Sequence, residues 1–278
     1  PAGMLTSDTT RREGLVTNLD FAPTILEGLG VRPAWPHDGS PMVALAARDG
    51  QDVAGHLIYM AESLQKAASS RVPVLSVFIG MVVIAVFAVL GVALLGPRAP
   101  GLLVGATRFL LLAVAAQPLL LLLAPVFRIQ GIGAILFFTV VGSAMVSAAL
   151  LRKAQSCMRS SVGIAFATGA AILTDALAGG VLAAASLLGH SAIVGARYYG
   201  IGNELMGALI GSVAISLAAL GEAARRSGRA ALYDRSKALA VAAVGMGVVS
   251  LLLGHPAVGA NFGGMVTASV VASFMGGI

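Results

Sequence analysis

The sequence is poor in charged and aromatic residues and has almost no cysteine. Asp, Glu, Lys and Arg account for 11% of its 278 residues and Phe, Trp and Tyr for 5%, whereas 58% are hydrophobic. This balance excludes an ordinary soluble enzyme, because a surface that faces water carries more charge. Cys157 is the single cysteine, so an internal disulfide is excluded and a cysteine metal site is not indicated.

Positive charge is present but unevenly distributed. The net charge is +6; residues 1–71 hold six Lys/Arg and eight Asp/Glu, and residues 72–278 hold twelve and four. The basic residues therefore belong to the apolar part, where cationic loops set membrane topology and meet anionic lipid head groups. We expect no nucleic-acid partner, and we interpret residues 1–71 as a soluble domain remnant with its linker and residues 72–278 as a transmembrane domain.

Long apolar runs divide the second part into membrane spans. A bilayer core about 30 Å thick is crossed by about 20 apolar residues in a helix. The sequence predicts six complete spans and the start of a seventh, at residues 73–96, 102–125, 131–151, 155–175, 204–222, 236–254 and from 261 onward. The predicted fold class is mainly α, a polytopic helical membrane bundle.

Glycines mark two features of this bundle. Residues 176–194 form a further apolar stretch that contains several glycines, and it either extends the fourth span or forms a re-entrant or interfacial segment, which we favour. The pairs Gly207 with Gly211 and Gly263 with Gly264 predict close helix packing in the fifth and seventh spans.

Basic residues in the connections predict the orientation of the spans. Arg152 and Lys153 follow the third span, and a basic cluster at residues 225–237 follows the fifth, so both connections are expected to be cytoplasmic. Alternation then places the N-terminal piece and residues 176–203 and 254–261 on the outer side. The predicted location is the inner (plasma) membrane of a bacterium, with the N-terminal piece extracytoplasmic and the lipid bilayer as the main partner.

The N-terminal piece has the pattern of a strand, a turn and a helix. Residues 15–16 look like the end of a strand, and Phe21–Leu29 have helical spacing. Asp20 is expected to cap this helix, and Pro23 suits its first turn.

Residues 14–31, GLVTNLDFAPTILEGLGV, followed by HDGSPM at 37–42, resemble the closing segment of alkaline-phosphatase-superfamily domains, which include sulfatases and phosphoglycerate mutases. In that family a D-x-x-P-T-[IL]-L helix is followed by a short G-S stretch near the domain end. The matching residues are Asp20, Pro23, Thr24, Ile25, Leu26, Gly39 and Ser40. The resemblance implies that a small α/β remnant of such a domain precedes the helices. The run RYYGIGNE at residues 197–204 likewise resembles bacterial multi-pass proteins that carry an alkaline-phosphatase-like domain.

The resemblance also implies a chemistry whose main residues lie elsewhere. In the superfamily a Ser, Thr or Cys nucleophile stands beside two divalent metals held by Asp and His, mostly upstream of the matching segment. The sequence has no D-H-G motif and no histidine cluster, so we assign no catalytic residue and no metal ligand. Divalent metals are expected only where an intact upstream domain is present, and we expect segments to be missing at both ends.

Polar residues at the predicted outer ends of the spans form a candidate substrate site. An Arg and a Glu at the edge of the hydrocarbon are costly unless they are paired or solvated. The candidate residues are Arg197, Tyr198, Tyr199, Asn203, Glu204, Asp175, His255 and Asn261, with His190 nearby. Together they would offer carboxylates, a guanidinium and an imidazole to a phosphorylated or sugar-linked lipid head group. Each also has a structural alternative, such as an interfacial anchor, a helix-end hydrogen bond, a loop residue before a proline, or an Arg197–Glu204 bridge.

Two functions remain open from the sequence. The chain is either the membrane part of an extracytoplasmic hydrolase or transferase of phospho- or sulfo-esters, acting on an envelope or lipid-linked substrate, or a transporter or envelope-polymer assembly protein with an outward-facing polar site. The order of domains is similar to that of ethanolamine-phosphate transferases, which favours the first. We expect the chain by itself to be inactive as an esterase.

Overall fold

The computed structural model describes residues 3–31, 38–47, 50–153, 156–195, 197–226 and 235–277. His37, the expected start of the fourth span at residue 155, Ala196 and Arg229 lie outside these ranges. The chain divides into two compact units. We call them the N-terminal unit, Pro1–Ala68 with His190–Tyr199, and the helical unit, Ser69–Gly189 with Gly200–Ile278. The sequence placed His190–Tyr199 with the membrane spans and did not anticipate its membership of the N-terminal unit.

The N-terminal unit contains two short strands and a short helix. Strand β1 (Gly3–Thr6) pairs with strand β2 (Val43–Ala46) in antiparallel register, Gly3 opposite Ala46 and Thr6 opposite Val43. Helix α1 spans Phe21–Gly28. The predicted strand end at residues 15–16 is wrong, because these residues form an irregular connection; Thr10 Oγ1 donates to the Leu15 carbonyl at 2.6 Å and holds it outside any ladder.

The carboxylate of Asp20 organises this unit. Its side chain is fully buried, at 0% exposure, and accepts four hydrogen bonds: at Oδ2 from Ser7 Oγ (2.7 Å) and the Thr17 N–H (2.9 Å), and at Oδ1 from Thr9 Oγ1 (2.6 Å) and the Ser40 N–H (3.0 Å). Asp20 immediately precedes α1, as expected, but its side chain makes no capping bond to that helix. It joins the β1–α1 connection to the Gly39–Ser40 stretch instead.

The threonine and glycine of the motif serve the same junction. Thr24 Oγ1 donates to the Asp20 carbonyl and accepts from the Met42 N–H at 2.9 Å. Gly39 has φ +87°, and a Cβ at this position would stand 2.3 Å from the Leu19 carbonyl oxygen, so only glycine fits there. Hydrogen bonds therefore join Thr24 and Ser40 to Asp20, and Gly39 provides the tight backbone turn beside them.

Most of the described chain is helical, and the long helices are apolar. The helices that follow β2 are α2 (Val53–Leu95), α3 (Gly101–Leu123), α4 (Ile132–Leu136), α5 (Gly142–Arg152), α6 (Cys157–Leu177), α7 (Val181–Ala185), α8 (Asn203–Arg226), α9 (Arg235–Gly254) and α10 (Phe262–Gly277). A π-helical turn, Phe137–Val141, joins α4 to α5.

Among the described residues, five helical segments are long and apolar enough to cross a membrane, and two shorter ones are apolar. The five are Val53–Arg98, Gly101–Phe127, Ile132–Arg152, Cys157–Leu177 and Asn203–Ala223, and the shorter two are Leu239–Gly254 and Phe262–Met275. These segments overlap the seven predicted runs, so a multi-pass helical membrane fold agrees with the sequence, while the number of spans that cross completely stays a prediction.

Helix α2 begins twenty residues before the predicted first span. The linker that the sequence analysis expected before residue 73 is helical from Val53, and the helix continues through Pro73. Proline removes one backbone donor from a helix interior. Membrane helices nevertheless tolerate it, because neighbouring helices and Ser/Thr side chains can bind the freed backbone group. Within α2 only Ser70, Val74 and Ala85 are buried, so most of its apolar side chains are at least partly exposed.

A buried glutamine holds the π-helical turn. Gln117 of α3 is 2% exposed, and its Nε2 lies 3.3 Å from the Thr139 carbonyl and 3.2 Å from Ser143 Oγ. A π-turn withdraws a carbonyl from its ordinary helical donor, and hydrocarbon supplies no replacement. The Gln117 amide gives the Thr139 carbonyl a donor in addition to the Gly142 N–H, and it links α3 to the α4–α5 segment.

Small residues allow some of the helices to approach closely, although not all at the predicted places. A Cβ on Gly169 of α6 would lie 3.4 Å from Val213 Cγ2 of α8, and one on Gly264 of α10 would lie 2.9 Å from Met206 of α8. A Cβ on Gly207 or Gly211 would meet no atom within 4 Å. The predicted close helix contact at Gly207 and Gly211 is therefore wrong for the described residues, because these two glycines face away from the neighbouring helices.

The Asp20 junction predicts acid sensitivity of the N-terminal unit. Burial raises the pKa of Asp20, but the hydrogen bonds from Thr9, Thr17, Ser40 and Ser7 outweigh it and hold the pKa below its usual 3.8. A lowered carboxyl pKa gives stability that is present above the usual value and is lost as the pH falls through the lowered one. Hydrogen exchange of residues 5–28, corrected for intrinsic rates, should report this loss.

Asp20→Asn should lower the stability of the unit by about 2–4 kcal/mol at neutral pH and remove this acid dependence, because the amide cannot accept all four bonds. Asp8→Asn, at an exposed turn, is the control. Equal acid sensitivity in both variants would contradict the assignment.

Gln117→Leu should lower the free energy of unfolding of the helical unit by about 1 kcal/mol, because it removes the two hydrogen bonds that join α3 to Thr139 and Ser143 in apolar surroundings. Unfolding in detergent or bicelles measures the change. Thr267→Val is the control, since the Thr267 hydroxyl is exposed and bonds only to its own helix. An unchanged stability of Gln117→Leu would show that the π-turn does not need this amide.

Candidate functional site

Asp175, near the end of α6, binds backbone groups. Its buried carboxylate accepts from the Leu182 N–H at Oδ1 and from the Ala183 N–H at Oδ2, both at 2.8 Å. These are first-turn donors of α7, which no helical carbonyl can reach. The stretch 176–194 therefore does not extend the fourth helix; after Leu177 it turns through Gly179 and Gly180 into the short α7.

The rest of this stretch is held by a serine and an arginine. Ser186 Oγ donates to the Leu121 carbonyl of α3 at 2.9 Å and accepts from the Leu188 N–H at 3.2 Å. Arg71 of α2 then donates through one terminal nitrogen to the Gly189 carbonyl. The part of the stretch that belongs to the helical unit, up to Gly189, is thus fixed at both its start and its end.

Glu204, in the first turn of α8, pairs with the same arginine. The other terminal nitrogen of Arg71 lies 2.7 Å from Glu204 Oε1. The arginine side chain is 22% exposed and the carboxylate 44%. The sequence analysis proposed Arg197 as the partner of Glu204; that pairing stays a prediction, whereas the Arg71 pairing was not anticipated.

Arg71 was missed because it lies 133 residues from Glu204. The available signal was its position, a cation directly before the first apolar run. Its contact brings the start of the predicted first span and the start of the predicted fifth span to the same end of the helical unit, as the predicted alternation requires.

Asn203 and Asn261 meet beside the start of α8. Asn261 is buried; its Nδ2 donates to the Ile201 carbonyl at 2.9 Å and lies 3.4 Å from Asn203 Oδ1. Its Oδ1 accepts from the Gly264 N–H at 2.8 Å, which caps α10. The Ile201 N–H donates to the Gly259 carbonyl at 2.8 Å, so the two loops are clamped together.

Gly200 is required by this clamp. Its φ is +80°, and a Cβ would stand 2.3 Å from the Gly259 carbonyl oxygen. His255, in the second loop, is exposed, and its Nδ1 accepts from the Ala257 N–H at 3.2 Å. His255 therefore has the local turn contact that the structural alternative described.

Arg197, Tyr198 and Tyr199 belong to the N-terminal unit, whereas the other five candidates belong to the helical unit. Within the N-terminal unit, the guanidinium of Arg11 lies over the Tyr199 ring, 3.9 Å from its centroid. Cation–π contacts of this kind contribute about 0.5–1 kcal/mol at exposed sites. Arg11 is a further residue that the sequence analysis did not single out.

The described residues contain no group of three or more His, Cys, Asp or Glu side chains that could hold a metal ion. Of the candidates in the helical unit, Asp175 and Asn261 hold backbone groups, and Glu204 is bound by a side chain. The arrangement thus offers one guanidinium with a replaceable carboxylate partner.

Asn261→Ala should lower the free energy of unfolding of the helical unit by about 1–3 kcal/mol. The variant loses the cap of α10 and leaves the Ile201 carbonyl without the Asn261 donor. Asn203→Ala, at an exposed position and with one long contact, should change it by less than about 0.5 kcal/mol. Thermal unfolding in detergent compares the two. Similar effects of both substitutions would show that Asn261 is not the clamp.

Comparison of the chain with protein-family models, with curated proteins and with solved structures finds no match in any of the three.

Proposed function

We propose that the chain is the membrane part of an extracytoplasmic enzyme that hydrolyses or transfers phospho- or sulfo-esters, and that its N-terminal unit closes an alkaline-phosphatase-like domain. The membrane part would present a lipid-linked or envelope substrate. Two observations support this reading. The first is that the motif residues Asp20, Thr24, Gly39 and Ser40, which carry the resemblance, meet in one junction.

The second observation, which carries the proposal, is an apolar stripe along α1 and its C-cap residue Leu29. Phe21, Ile25 and Leu29 follow one another at intervals of four residues and are 57%, 58% and 71% exposed. Residues with this spacing share one face of a helix, and such a face is normally buried. We assign the preceding part of the alkaline-phosphatase-like domain as its cover.

The assignment is tested with the natural full-length protein in membranes. Ile25→Asp should reduce metal-dependent ester hydrolysis at least about tenfold, because a carboxylate placed in a covered apolar face costs several kcal/mol. Glu27→Gln, on the opposite side of α1, should leave hydrolysis unchanged. Turnover of phosphomonoester, phosphodiester and sulfate-ester substrates is measured with and without chelator.

We expect the chain of residues 1–278 to show no such turnover. Robust hydrolysis by this chain, full activity of the Ile25→Asp protein, or an inactive full-length protein would each contradict the proposal.

A transporter or envelope-polymer assembly protein is the second candidate. It is favoured by the non-helical stretches that interrupt the apolar helices, residues 186–195 with 197–202 and residues 255–261, which meet through the Ile201–Asn261 contact. Paired interruptions of this type often line substrate sites in membrane proteins. An inactive full-length protein that still moves or assembles a lipid-linked substrate would favour this candidate.

A further inference from the structure

Arg71 is held in a fixed orientation by two acceptors on different elements. One terminal nitrogen binds the Gly189 carbonyl and the other lies 2.7 Å from Glu204 Oε1. The carbonyl is itself positioned, because the Gly189 N–H donates to the Ser186 carbonyl at 3.0 Å and Ser186 Oγ is bonded to Leu121. The guanidinium therefore presents its planar donors in a set direction before any ligand arrives.

The two partners of Arg71 differ in how easily they can leave. A backbone carbonyl inside a hydrogen-bonded segment stays where it is. Glu204 is a side chain, 44% exposed against 22% for Arg71, and water can take over its solvation with little loss. The carboxylate is thus the replaceable partner and the arginine the embedded one.

The position suits an anionic head group. Arg71 directly precedes the apolar run of α2 and Glu204 opens the apolar helix α8, so both lie at the border between hydrocarbon and water. Arg binds phosphate through paired donors in the same geometry that it uses for a carboxylate. The other acidic candidate of this unit, Asp175, is occupied by two backbone N–H groups and does not compete.

We propose that Arg71 is the anion-binding residue of a lipid head-group site, and that Glu204 is an internal competitor that occupies Arg71 until the phosphate group of a membrane lipid replaces it. This inference rests on the proposed function in one respect, that the membrane part receives a phosphorylated lipid. It adds the residue that recognises the phosphate and the residue that weakens binding.

The test uses the chain in nanodiscs of phosphatidylcholine, with short-chain phosphatidic acid titrated as the probe and bound lipid counted by native mass spectrometry. Glu204→Gln should tighten binding about two- to five-fold, because the arginine is released from its carboxylate. Arg71→Gln should abolish the saturable component, and the double variant should behave like Arg71→Gln. Arg98→Gln, an exposed cation in a different connection, is the matched control and should bind like the unchanged protein.

An ion pair with only a structural role predicts a different pattern. Loss of either partner would then leave binding unchanged or weaken it, so opposite signs for the two single variants are the distinguishing result. Arg71→Lys keeps the charge and guards against misfolding of Arg71→Gln; it should retain part of the binding. Glu204→Gln that unfolds at the same temperature as the unchanged protein and binds no more tightly would overturn the proposal.

Inorganic phosphate at the concentration of the lipid should not displace phosphatidic acid, and displacement would overturn the assignment to a lipid. The outcome is separate from that of the ester-hydrolysis test. An inactive full-length protein whose variants still show opposite effects on lipid binding would contradict the enzyme proposal and support the lipid site. An active protein that binds no lipid at Arg71 would support the enzyme proposal and contradict the lipid site.

Discussion

The structure depends on one constraint, that a polar group surrounded by hydrocarbon must find its partner within the protein. Long helices meet this requirement for their own backbone, and five segments of the described chain are long and apolar enough to do so across a bilayer. Where the helices stop, the requirement passes to side chains. Asp175, Ser186 and Asn261 each bind backbone groups of a segment that has no helical partner. These contacts decide the path of the chain at that end of the helical unit.

A related requirement explains the small N-terminal unit, in which buried polar groups also need partners within the protein. The unit has two short strands and little apolar core, so regular structure alone does not fix its connections. Asp20 does so by accepting from two hydroxyls and two backbone N–H groups that come from three parts of the chain. An aspartate just before a helix usually indicates a local cap, but the Asp20 side chain makes tertiary contacts instead of capping α1.

The apolar helices could be predicted from the sequence because length and hydropathy are local properties. The runs at residues 102–125 and 131–151 overlap segments of the structure within a few residues, and helix α1 begins at Phe21 as its spacing indicated. The prediction of a linker before residue 73 was wrong because residues 53–72 are helical although they lack the long apolar run that identified the spans. The prediction of a strand end at residues 15–16 was wrong because two adjacent hydrophobic residues also fit an irregular connection held by a side-chain hydrogen bond.

The candidate site was only partly predictable, because side-chain pairing is not local. Asn203 and Asn261 were both identified, and they do meet. Arg71 was not, because Arg197 stands seven residues from Glu204 in the sequence whereas Arg71 is brought there by folding. Sequence proximity favours the nearer arginine, and only the arrangement of α2 against the start of α8 reveals the other.

The kind of partner separates structural carboxylates from functional ones. Asp20 and Asp175 are buried and accept from backbone N–H groups, which cannot move away without unfolding the segment they belong to. Glu204 is half exposed and bound by a side chain that could equally hold another anion. The sequence did not separate Asp175 from Glu204, since both were candidate site residues at the predicted ends of spans. A charge whose partner can be exchanged is therefore the feature on which we base the proposed site, and in the described part of the helical unit Arg71 has such a partner in Glu204.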